Sequence, residues 1–140
     1  MTFALRNFFR IAGTAAILFA APIAKAEYLS IHLKVYGLDC EVCARGVSAS
    51  VQRLPGIESV NVSLKTGLLD IVLTPGNMFK LSDLRKRIKE NGFRSMEATV
   101  TAVGRFNGSK FEVSGTGESY ELGKKASGSA ETTELTFDVH

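Results

Sequence analysis

The chain has 140 residues, of which 45% are hydrophobic and 22% charged, and its formal net charge is +3. Arg6, Arg10 and Lys25 account for three of the 17 basic residues and none of the 14 acids precedes Glu27, so the remainder is balanced and no nucleic-acid or anionic-lipid partner is implied. Two cysteines are too few for a disulfide scaffold, so stability has to come from apolar burial.

The first segment reads as a secretory signal peptide, residues 1–26. Met1 to Arg10 holds two arginines and no acid, Ile11 to Ala21 is apolar or small, and Ala24-Lys25-Ala26 supplies the small residues that signal peptidase reads. The apolar run falls well short of the roughly 20 residues needed to cross a bilayer, so removal before Glu27 is expected and the mature form is not expected to span a membrane. The expected location is periplasmic or secreted.

From Tyr28 to Tyr36 the pattern is that of a strand, with Leu29, Ile31, Leu33 and Val35 alternating with polar or exposed positions. Gly37 stops it. Ala44, Val47, Val51 and Leu54 then form one helical stripe, which Pro55-Gly56 ends. Val60, Val62 and Leu64 alternate over a second strand and Leu69, Ile71 and Leu73 over a third, with the short Lys65-Thr66-Gly67 turn making them an antiparallel hairpin.

Pro75-Gly76-Asn77 is a further breaker cluster. A second helix follows, with Ser82 as its N-cap, Leu81, Leu84 and Ile88 buried, and Asn91-Gly92 as its left-handed stop. A fourth strand is expected from about Met96 to Phe106. The order strand-helix-strand-strand-helix-strand is the split βαβ arrangement, an α+β ferredoxin-like βαββαβ sandwich with both helices on one face. Past it, Asn107-Gly108 predicts a hairpin with Phe111 to Val113, Tyr120 to Leu122 another short strand, Gly123 to Thr132 a loop, and Leu135, Phe137 and Val139 a last strand. The organisation is thus 1–26 signal peptide, 27–103 core domain and 104–140 a β-rich C-terminal extension, mildly acidic and expected to cover a sheet edge.

The chemistry lies in Gly37-Leu38-Asp39-Cys40-Glu41-Val42-Cys43. Cys40 leaves the first strand and Cys43 sits in the first helical turn, so both sulfurs can converge at the positive end of the helix dipole, where the thiolate is favoured. A structural zinc site needs four ligands, and no second cysteine pair is present. A redox dithiol stays open, although the hairpin strands and the absence of tryptophan do not match a thioredoxin-like setting. Two thiolates suit one soft, low-coordinate metal ion best, copper(I) or another soft ion that accepts two sulfurs. Asp39 has two readings: a cap for the helix, or a third, harder ligand that shifts preference toward zinc, cadmium or lead.

Leu29 to about Val103 resembles the heavy-metal-associated domain, whose motif G-M-x-C-x-x-C ends the first strand. Leu54 to Val60 and Asn91 to Phe93 fall where the family places similar residues. The family spans copper chaperones, modules of metal-pumping ATPases and exported mercury-binding proteins, and the leading signal segment is most similar to the last. The resemblance implies copper(I) or mercury(II) as cargo, with zinc or cadmium as alternatives, and a membrane metal transporter or another metal-binding protein as partner. It implies no catalysis, metal ligands Cys40 and Cys43, and supporting roles for Leu38, which replaces the family's methionine, and Phe93. The alternatives are a thiol-disulfide protein using the same cysteines, or an interaction module whose acidic tail makes the contact.

Overall fold

The computed structural model describes residues 27–113, 115–122 and 133–140; the expected signal peptide and the 123–132 loop lie outside the described residues. The first six elements are β1 (Tyr28–Tyr36), α1 (Glu41–Gln52), β2 (Ile57–Ser63), β3 (Leu68–Leu73), α2 (Leu81–Glu90) and β4 (Arg94–Asn107). Every pairing is antiparallel, in the order β2-β3-β1-β4. This is the expected ferredoxin-like α+β sandwich. Ile31, Leu33 and Val35 of β1, Leu69 and Ile71 of β3, and Ala98 and Val100 of β4 form its sheet layer. Ala44, Val47 and Val51 of α1 and Leu81, Leu84 and Ile88 of α2 cover that layer. Each large aliphatic side chain so buried contributes about 1.5–3 kcal/mol. The opposite face is polar, with His32 Nδ1 2.6 Å from Asp70 Oδ1 and Lys34 Nζ 3.8 Å from Glu97 Oε1.

Two details differ from the alternation alone. A bulge between Tyr28 and Ser30 in the pairing with β4 puts Tyr28, not Leu29, fully inside. The β2–β3 link is four residues, Leu64 to Gly67, because Ser63 pairs with Leu68.

Beyond the minimal sandwich lie β5 (Lys110–Val113), β6 (Glu118–Glu121) and β7 (Thr133–Val139). The boundary expected at residue 103 falls inside β4, which runs unbroken to Asn107. The β4–β5 turn is Gly108-Ser109, since Asn107 pairs with Lys110; Gly108 at φ +65° takes the first central position, where a type II′ turn requires glycine. The predicted hairpin therefore forms with a different turn from the one Asn-Gly favours. β7 returns along β4 from Gly104 to Ala98, covering a stretch of that strand's outer edge. Phe106, Phe111, Val113 and Phe137 join the same core as the sandwich, with Phe111 5.3 Å from both Phe106 and Phe137 in edge-to-face contact.

The extension also completes α2. Lys80 is the N-cap and supplies no side-chain bond, so the expected Ser82 cap does not form. Glu118, from β6, accepts instead from the backbone N–H groups of Leu81 (2.9 Å) and Ser82 (3.1 Å). A carboxylate at a helix start is favoured by the dipole as well as by the free N–H groups. Tyr28 Oη donates to the same carboxylate at 2.5 Å and lies 2.7 Å from Tyr120 Oη. Burial alone would raise the Glu118 pKa, but the bonds from Tyr28, Ser82 and the backbone hold it below the usual carboxylate range. Burial pushes Tyr120 up to about 12 and moves Tyr28 upward as well, so both phenols stay protonated donors.

Candidate metal centre

The site is built where β1 hands over to α1. Gly37, at φ +83°, turns the chain off the strand, and Leu38 drops into the core at 3% exposure. Asp39 faces solvent. Cys40 is extended (φ −117°, ψ 141°) and is itself the N-cap: its Sγ accepts from the Cys43 N–H at 3.0 Å, and its carbonyl accepts from Ala44 N at 2.9 Å. The sulfur fills the role usually taken by a serine or aspartate oxygen. The capping role open to Asp39 is thereby corrected, because the first helical residue is Glu41 and the cap falls one position later than Asp39.

Cys40 and Cys43 are joined as a disulfide, with Cα atoms 5.2 Å apart, and both are half-buried at the start of α1. Val42 between them is 78% exposed, so the pair opens to solvent on that side. Reduction leaves two sulfurs at a helix N-terminus, one already facing a backbone N–H, which lowers the energy of the thiolate.

Two neighbouring loops hold this corner. Val35 N donates to Gly67 O at 2.8 Å, tying the end of β1 to the β2–β3 turn. Gly67 is at φ +69°, and a Cβ there would lie 2.9 Å from Val35 O, so only glycine lets the turn approach this closely. The local pattern marks Gly67 as a turn residue and carries no sign of the strand it supports. On the other side α2 ends in a Schellman motif, Phe93 N donating to Ile88 O at 3.2 Å and Gly92 N to Lys89 O at 2.9 Å. This delivers Phe93 against the core and next to Gly37, whose notional Cβ would be 4.0 Å from Phe93 Cδ1.

Of the residues expected at the site, Cys40, Cys43, Leu38 and Phe93 are therefore brought together around one loop. Asp39 lies beside the pair in sequence, but among the described residues no group of three or more His, Cys, Asp or Glu side chains is placed to hold a metal ion. His32 is engaged with Asp70 on the sheet's polar face, and His140 follows β7.

A model of the heavy-metal-associated domain matches residues 32–94. The copper chaperone CopZ of Bacillus subtilis (strain 168) is 30% identical over 61 residues, covering 44% of this chain and 87% of the chaperone. The chain belongs to the heavy-metal-associated domain family. The mercuric reductase of Serratia marcescens is 38% identical over 45 residues, covering 32% of this chain but only 10% of that enzyme. Among solved structures, a copper binding domain from HMA7, a P-type ATPase, is similar at 26% identity and TM-score 0.45, covering 49% of this chain and 90% of that one. Oxidized MerP from Ralstonia metallidurans CH34 is similar at 20% identity and TM-score 0.45, covering 49% and 94%. The heavy-metal-associated match ends at the first residue of β4, so β5, β6 and β7 lie outside it. Among the described residues no helix is long and apolar enough to cross a membrane.

Proposed function

We propose that the protein is an exported metal carrier: Cys40 and Cys43, once reduced, capture one soft metal ion and pass it by ligand exchange to a membrane transporter or another metal-binding protein. The observation that carries this reading is the convergence of both sulfurs at the start of α1, with the Cys43 N–H on Cys40 Sγ. A soft ion held by two thiolates alone keeps coordination positions open, and an incoming thiolate can bind before the first leaves. Copper(I) and mercury(II) suit that donor pair. No substrate bond is made or broken, so the protein is not an enzyme on this account. The similarity to a copper chaperone and to part of a mercuric reductase supports the choice of soft cargo. Export rests on the segment before Glu27, and its test is N-terminal sequencing of the protein recovered from the periplasm or medium.

Asp39 sets selectivity in this reading. Its solvent-facing carboxylate becomes a third ligand for a harder ion when the loop is reduced. Native mass spectrometry of the reduced protein offered copper(I), mercury(II), zinc and cadmium is expected to show one ion per chain. Asp39→Ala is expected to weaken zinc much more than copper(I), and equal losses would remove Asp39 from the site. A second reading, a thiol-disulfide protein, is favoured by the disulfide itself. Failure to retain any metal, together with rapid reduction of a model disulfide, would establish that reading instead.

A further inference from the structure

The Cys40–Cys43 bond must open before the pair can hold a metal, and the two flanks of the 37–43 loop differ in charge. On the α1 side stand Asp39 and Glu41, the latter paired with Arg45 at 2.5 Å. On the other side, between α2 and the start of β4, is a cleft of about 480 Å³ lined by Arg85, Lys86, Lys89, Phe93, Arg94 and Ser95. No acid lines it. The β4–β7 pairing runs only from Gly104 to Ala98, so residues 94–97 of β4, two of which line the cleft, lack that neighbour.

Its cations are unequal. Arg85 is committed to structure, donating to Ser95 Oγ at 3.3 Å, Met96 O at 2.9 Å and Val139 O at 3.1 Å. Lys86 stands 4.0 Å from Glu90, a loose surface pair. Lys89 and Arg94 form no ion pair among the described residues. Phe93 gives the cleft an apolar wall and also abuts Gly37, while Arg94 lies opposite Tyr36 in the β1–β4 register. Unpaired positive charge and an apolar wall thus adjoin the loop that carries the disulfide.

We infer that this cleft binds the carboxylate of small anionic thiols and steers them onto the Cys40–Cys43 disulfide, so that reductant choice is set by charge. In the reaction the thiolate sulfur of the reductant bonds to Cys43 Sγ and the Cys40–Cys43 bond breaks. Its electron pair leaves on Cys40 Sγ, where the Cys43 N–H already donates. A second thiolate attacks the reductant's sulfur in the mixed disulfide, releasing the oxidised reductant as its disulfide and Cys43 as a thiolate. Two reductant thiols are oxidised and one protein disulfide is reduced.

The test follows reduction of the protein, without metal, by mercaptopropionate, mercaptoethanol and cysteamine. These carry negative, no and positive charge and are compared at equal thiolate concentration and low ionic strength. Rates are divided by those for an uncharged linear disulfide. The normalised preference for the anionic over the cationic thiol is expected to fall about tenfold in Lys89→Glu/Arg94→Glu and to collapse in high salt. Arg53→Glu/Lys110→Glu, the same charge change at the opposite end, is expected to keep it. If the cleft variant misfolds by circular dichroism, Lys89→Gln/Arg94→Gln is expected to lose about threefold. An unchanged preference in the folded cleft variant, an equal loss in both charge-reversal variants, or a wild-type preference for cysteamine would overturn the inference. Because no metal is present, that failure would leave metal capture standing, and failure of metal capture would not touch the steering result.

Discussion

At the scale of single residues, Cys40 has two tasks that can be separated. It caps α1 through its sulfur, and under the proposed function it supplies one of the two metal-binding thiols. In the reduced protein, Cys40→Ala removes the cap acceptor and is expected to cost about 1 kcal/mol in urea unfolding, whereas Cys40→Ser keeps an acceptor and costs about half of that or less. Equal costs would mean that the sulfur does not cap. That the two sulfurs meet at one point was legible in the sequence, because C-x-x-C at a strand-to-helix boundary admits few geometries. The cap was not, because aspartate is the stronger capping residue in any local comparison. Only the burial of Leu38 and the turn at Gly37 fix which residue stands at the helix start.

At the scale of elements, α2 shows why local signals fail when a distant group competes. Ser82 has the chemistry of an N-cap, yet the helix starts at Leu81 and its N–H groups are taken by Glu118, 36 residues beyond Ser82. No window of sequence around α2 contains that acid. The end of α2, in contrast, was readable: Asn91-Gly92 gave the Schellman stop that sets Phe93 beside the site. Because the folded-state pKa of Glu118 is depressed, its contribution is fully present above about pH 4.5, the unfolded value, and is lost as pH falls through the lower folded value. Glu118→Gln is expected to cost about 1–2 kcal/mol at pH 7, a range kept modest because the carboxylate is half-exposed. The same variant is expected to flatten the acid limb of the stability curve below pH 4.5. Urea midpoints collected from pH 7 to pH 3 check both, and parallel curves for the two proteins would remove Glu118 from the acid transition.

At the scale of the whole molecule, the βαββαβ order was legible because each element carries its own period, and so was a sheet-edge cover from the C-terminal strands, whereas their register and their share of the core were not. Their alternation predicts strands, but pairing partners 30 or more residues apart leave no local trace, as the Val100–Phe137 and Ala102–Leu135 pairs show. The consequence is that the extension belongs to the fold. A chain ending at Val103 would lose Phe106, Phe111, Val113 and Phe137 from the core, β7 from the edge of β4 and the cap on α2. Phenylalanine losses alone cost about 3–5 kcal/mol each, comparable to the whole stability of a small domain. The truncated chain is therefore expected to give no cooperative unfolding transition by circular dichroism, and a sharp transition would show the sandwich to be self-sufficient. This architecture extends the domain at the end away from the 37–43 loop, where the start of β1 meets β6 through Tyr28 and Glu118. The cysteine pair is left at the opposite end of β1, open to an incoming protein. The most direct test of that arrangement is competition for copper(I) between the reduced protein and a chromophoric chelator. The account predicts one equivalent withdrawn per chain by the wild type. It predicts a loss of affinity for Cys40→Ser and for Cys43→Ser greater than the roughly 10–100-fold that changes around a metal's ligands cost. Undiminished uptake by either variant, or none by the wild type, would contradict it.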